Sequence, residues 1–118
     1  MKLRIDKVVD HGQVNERVEM TVIEDCKLHY YLLADTTYTD TTHISNKLRH
    51  MHWFAPKDVK KGDQIILYTK KGTDTSSKIA STNVKYSIYW QLDINVWNND
   101  GDAAILFELN TWKATKTK

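Results

Sequence analysis

The feature that most constrains this chain is a two-residue alternation of apolar and polar side chains that returns along most of its length. Successive side chains of a β-strand point to opposite faces, so this period marks a strand with one buried face. Leu3 and Ile5, with Val8, open the first such segment. Val18, Met20 and Val22 alternate with Arg17, Glu19, Thr21 and Ile23 in the second. Leu28, Tyr30 and Leu32 alternate in the third, which ends at Asp35. Leu48, His50, His52 and Phe54 share one face of the next, with Arg49, Met51 and Trp53 on the other. Gln64 to Thr69 is a compact β-branched and aromatic run, and Val84, Tyr86, Ile88 and Trp90 alternate with Lys85, Ser87 and Tyr89. Ala103 to Leu109 reads as a buried strand, and Thr111 to Thr115 as a last edge strand with Trp112 pointing inward.

The segments between are turn-formers. Thr36 to Asn46 is rich in Thr, Asp and Ser and reads as a loop. Pro56 stops the strand before it, and Gly62 supplies the positive φ of a turn spanning Asp58 to Asp63. Lys70 to Asn83 is the longest polar stretch and reads as a second loop. Asn98-Asn99-Asp100-Gly101 is a tight turn. Seven or eight short strands at roughly ten-residue spacing, with no helical period, predict an all-β sandwich or small barrel. The 118 residues are the length of one domain, 1–118. A domain of that size buries about 65% of its unfolded surface and folds without metals or disulfides.

Cys26 is the one cysteine, so no disulfide forms within the chain, which fits a reducing compartment. Charges break every apolar run from Met1 to Lys7, and no stretch approaches the ~18 apolar residues of a membrane span. Read as starting at Met1, the chain is expected in the cytoplasm. The net charge of +2 is too small to imply a polyanion partner. Lysines cluster at Lys57, Lys60 and Lys61, at Lys70 and Lys71, and at Lys113, Lys116 and Lys118; solvated turns and chain ends explain such clusters most simply.

The C-terminal half carries a more specific pattern. Tyr89-Trp90 is followed by Trp97, the turn Asn98-Asn99-Asp100-Gly101-Asp102 and the run Ala103-Ala104-Ile105-Leu106. This resembles the lamin tail domain family, an immunoglobulin-like sandwich, over residues 58–110. Lys61-Gly62-Asp63 before Gln64-Ile65-Ile66-Leu67-Tyr68 is similar to that family's glycine turn before a core strand. Gly72-Thr73-Asp74 is similar to its following polar loop, and Asn15-Glu16-Arg17-Val18 to its approach to an early strand. Tyr30-Tyr31 stands where the family usually has Gly-Trp, and Gln91 where it often has glycine. Tyr89, Trp90, Trp97, Asn98, Asn99, Asp100, Gly101 and Asp102 are therefore read as fold determinants. Indoles bury large areas, and Asn or Asp side chains fix a turn by bonding nearby N–H groups.

Chemistry-bearing residues each have a plainer reading. His50 and His52 share a strand face and, with His43, form a conceivable zinc set, but no Cys, Asp or Glu lies at matching spacing in that strand. Asp93, Asp100 and Asp102 invite calcium. With Gly101 as sixth residue of an EF-hand loop, Val96 falls first and Phe107 twelfth, and neither can ligate. Cys26 sits beside a strand without a nucleophile motif, where a buried, inert thiol is the commoner outcome. The serines lack an elbow motif and the four glycines form no phosphate loop. No catalytic, cofactor or metal residue is assigned, and no enzymatic activity is expected.

The expectation is a non-catalytic protein-interaction or scaffolding module. The resemblance implies scaffolding or tethering, since that family's domains occur attached to enzymes, surface proteins or filament proteins; here the domain reads as standing alone. An exposed edge strand offers self-association or a partner's strand. Tyr38, Lys70, Lys71 and Asp74, on or beside the two polar segments, are the partner-binding candidates, and deletion of Thr73–Ser81 is expected to leave the fold intact. The alternative is a nucleic-acid-binding domain that uses interleaved lysines and aromatics, as in Lys85-Tyr86 and Trp112-Lys113.

Overall fold

The first strand shows how the alternation becomes tertiary structure. In the computed structural model, which describes residues 1–97 and 101–117, β1 (Leu3–Val9) pairs antiparallel with β2 (Arg17–Val22). Leu3 lies opposite Val22 and Ile5 opposite Met20; the register then shifts by one residue, and Val8 comes opposite Val18. The uneven spacing of Leu3, Ile5 and Val8 is thus the trace of a β-bulge at Asp6. The extra residue turns Val8 inward where strict alternation would have turned Lys7.

The chain continues through β3 (Cys26–Lys27), a 3-10 turn (Leu28–Tyr30), β4 (Tyr31–Thr37), β5 (Met51–Trp53) and β6 (Asp58–Val59). Then come β7 (Gln64–Lys70), β8 (Thr75–Lys78), β9 (Val84–Leu92) and β10 (Asp102–Glu108). One sheet has the order β1-β2-β7-β9-β8, a second β10-β4-β5, and β3 and β6 form a ribbon. One core joins the two large sheets: Leu3, Val18, Met20, Ile65 and Leu67 from the first meet Tyr31 and Leu33 from the second, with Phe54 and Trp97 between. The described residues are all-β apart from the single turn, and form a small β-sandwich. No helix among them is long and apolar enough to cross a membrane.

Most strands are those expected, but three expectations need correction. The inward residues of the third segment are Tyr31 and Leu33, not Tyr30 and Leu32, and Tyr30 is exposed. The 3-10 turn at Leu28–Tyr30 breaks the two-residue period, so the phase that starts at Leu28 does not continue. Lys70–Asn83 is not wholly loop, because it contains β8. β7 and β9 run parallel, and parallel neighbours cannot be joined by a tight turn. The connection carries the chain past β9 to the sheet edge, where β8 pairs antiparallel with it. Deleting Thr73–Ser81 would therefore remove an edge strand. Thr111–Thr115 forms no strand, and Trp112 points outward.

A buried carboxylate closes one end of the sandwich. Glu16 is wholly inaccessible. Its Oε1 accepts hydrogen bonds from the Thr69 hydroxyl (3.0 Å) and the Val96 N–H (2.6 Å). Its Oε2 accepts from the N–H groups of Gly12 (2.7 Å) and Trp97 (3.0 Å). Burial of a carboxylate is tolerable only with such donors. They tie the β1–β2 turn to β7 and to the segment that places Trp97 in the core.

Candidate functional site

A group of exposed aromatic side chains lies on the outer side of the small sheet. Alternation along β5 turns His52 inward and leaves Met51 and Trp53 outside. The Trp53 indole Nε1 donates to the His29 carbonyl oxygen (2.8 Å), which holds its ring down on the 3-10 turn. Tyr30 sits on the same turn, and the Leu109 N–H donates to the Tyr30 carbonyl (2.7 Å), steering the chain beyond β10 back over it. Trp112 then lands between the other two. Its ring centroid is 5.3 Å from that of Tyr30 and 5.2 Å from that of Trp53, both edge-to-face. Tyr30, Trp53 and Trp112 are 38%, 49% and 44% exposed. Single exposed hydrophobes need no explanation, but a contiguous aromatic group does.

Beside it, a cleft of about 400 Å³ opens between β5 and β8, one edge strand of each large sheet. Leu28, His52, Tyr86 and Ile88 form its less exposed lining, and Lys57, Asp74 and Ser76 its exposed rim, with Trp53 at one side. Burial pushes the His52 imidazole below its ordinary value; the Asp74 carboxylate pulls the other way without offsetting it. The ring is therefore neutral at pH 7, packed edge-on against Phe54 and Trp90, and its Nε2 is buried without a partner among the described residues.

A second recess, of about 560 Å³, is lined by Lys2, Asp25, Cys26, Tyr31 and Glu108 among others. The Tyr31 hydroxyl donates to Glu108 Oε2 (2.6 Å) and accepts from the Lys2 N–H (2.9 Å). Burial and the Glu108 carboxylate push the phenol up to about 12. Burial also raises the Cys26 thiol, an effect that nearby Asp25 and Glu108 reinforce and Lys2 opposes. A thiol held protonated is a poor nucleophile.

The residues singled out from the sequence do not converge on one place. Tyr38 is half-exposed and bridges to Ile44 across its loop. Lys70 reaches the Asn15 side chain (2.7 Å) and the Tyr68 ring, and Lys71 pairs with Asp93 (2.9 Å). Asp74 lies at the cleft, where its Oδ1 accepts from the Tyr89 N–H (2.9 Å). Of the turn motif, Tyr89 stacks on Tyr68, Trp90 packs against buried Trp97, and the Gly101 carbonyl accepts from the Tyr38 N–H. Asp102 accepts from the Thr37 hydroxyl (3.1 Å). Asn98, Asn99 and Asp100 lie outside the described residues. His43 contacts Asp40 and His50 contacts Asp35, and no group of three or more metal-ligating side chains suited to one ion occurs among the described residues. The chain matches no protein-family model and no curated protein with which it was compared.

The aromatic face escaped the sequence reading because its members lie at positions 30, 53 and 112. One signal was legible: Trp53 falls on the polar side of its alternation, opposite His52 and Phe54.

Proposed function

We propose that this chain is a non-catalytic interaction module of the lamin-tail kind, an immunoglobulin-like sandwich that docks a protein partner. Its contact face is the Tyr30–Trp53–Trp112 cluster. The observation that carries the docking is the contiguity of three large, partly exposed aromatics whose rings are fixed by edge-to-face contacts. Trp and Tyr dominate the energetic centres of protein interfaces, since they bury much area for few rotatable bonds. Edge-to-face packing leaves no flat platform, which disfavours the parallel stacking that bases need.

Local geometry supports the family reading. Gln91 adopts a left-handed φ of 68°, at the position that family often fills with glycine. Gly62, in the turn before β7, has φ 92°. Trp90 and Trp97 meet at 5.9 Å within the core, as fold-determining residues should.

The test is affinity capture with the wild-type chain and a Trp53→Ala/Trp112→Ala double variant, both checked for an unchanged fold by circular dichroism. A protein retained by the wild type and lost from the variant supports the reading. Equal retention by both overturns it. An oligonucleotide that binds with a steep salt dependence would replace the protein partner by nucleic acid.

A further inference from the structure

We propose that the cleft between β5 and β8 binds a small zwitterion, an amino acid or dipeptide with an apolar side chain. Two opposite charges line this cleft, Lys57 and Asp74. Several surface charges pair, as in Arg4–Asp6, Arg17–Glu19 and Lys71–Asp93. Neither Lys57 nor Asp74 has an ion-pair partner among the described residues. The two do not pair with each other. The Lys57 ammonium lies 4.8 Å from the centre of the Tyr86 ring, and Asp74 is bonded to the Tyr89 N–H.

A ligand that answers both charges carries a carboxylate for Lys57 and an ammonium for Asp74. The space of about 400 Å³ is of the size that small-molecule sites occupy. Leu28 and Ile88 supply an apolar floor, and Trp53 an aromatic side wall. The exposed Ser76 hydroxyl adds a polar group at the rim.

Both charges are exposed, so each contributes about a two- to fivefold gain in affinity. The probes are L-leucine and leucyl-leucine, against L-leucinamide, which lacks the carboxylate, and N-acetyl-L-leucine, which lacks the ammonium. Each is titrated into the full chain and followed by proton–nitrogen correlation spectra. Saturable shifts are expected at Ala55, Ser76 and Ser87 with one of the two zwitterions, and the better of them sets the ligand length. Lys57→Met is expected to weaken the zwitterion two- to fivefold while leaving the amide unchanged, and Asp74→Asn to weaken it while leaving the N-acetyl form unchanged. Equal binding of all four probes, or no saturable shift at the cleft with either zwitterion, overturns the proposal. Trp112 lies outside this cleft, so Trp112→Ala leaves zwitterion binding intact and separates this site from the aromatic docking face.

Discussion

The carboxylate of Glu16 accepts a hydrogen bond from the backbone N–H of Trp97, 81 positions away, at 3.0 Å. The same side chain receives Val96, Gly12 and Thr69, so one residue holds three chain segments at a buried point. Replacing Glu16 by Ala strands four donors in the core. Each buried unsatisfied donor costs about 1–3 kcal/mol, and shared relaxation keeps the total below the sum. Glu16→Ala is expected to lose about 3–5 kcal/mol in urea unfolding. A loss under about 1 kcal/mol would show that the site rehydrates freely and that Glu16 does not hold this end together.

Gln91 carries a left-handed φ of 68° and pays it back through its amide, which spans the Gly72 backbone: Nε2 donates to the carbonyl (2.6 Å) and Oε1 accepts from the N–H (3.2 Å). Gln91→Ala keeps the strain and removes both bonds, whereas Gln91→Gly removes bonds and strain together. The glycine variant is therefore expected to be more stable than the alanine variant by about 1 kcal/mol, despite glycine's greater unfolded-state entropy. Thermal unfolding of the pair decides it, and alanine equal to or above glycine would refute the strain argument.

Two tryptophans make a contrasting pair. Trp97 is buried against Trp90, and Trp112 lies on the surface. Trp97→Ala opens a large cavity and is expected to cost about 3–5 kcal/mol. Trp112→Ala gives up edge contacts worth about 0.5–1.5 kcal/mol each and should cost less than Trp97→Ala. A Trp112→Ala loss as large as that of Trp97→Ala would make the aromatic face a structural patch rather than a docking one.

Acid sensitivity is expected at Asp63. Burial opposes ionisation of this carboxyl, yet the N–H groups of Lys60 and Val84, the Asn83 amide and the Lys60 charge hold it below its ordinary value. A carboxylate whose value is lowered by folding adds stability above its unfolded value, near 3.9, and that stability disappears as pH falls through the folded value. Urea midpoints measured from pH 6 to pH 2 should drop more steeply in the wild type than in Asp63→Asn. Parallel curves would exclude Asp63 from the acid transition.

The strands were legible wherever the two-residue period ran unbroken. Val18, Met20 and Val22, or Tyr86, Ile88 and Trp90, face the core as their spacing requires. The period misled at Tyr30, because a 3-10 turn breaks the phase without leaving a mark in composition. It also missed β8, whose Thr, Ser and Lys side chains are all exposed, so that nothing apolar betrays it. An edge strand of this kind is held by its backbone ladder to β9, and backbone bonds leave no imprint on residue choice.

By itself the sequence determined the fold class, the inward faces of most strands and the glycine turn at Gly62, because each is a local rule about which side chain suits which backbone. It did not determine which distant residues meet. Glu16 with Trp97, Tyr30 with Trp53 and Trp112, and Lys57 across from Asp74 are products of strand order and of the parallel β7–β9 pairing. Strand order follows from the balance of burial over the whole core rather than from any one segment, so only the tertiary structure decided where the aromatic face and the charged cleft would form.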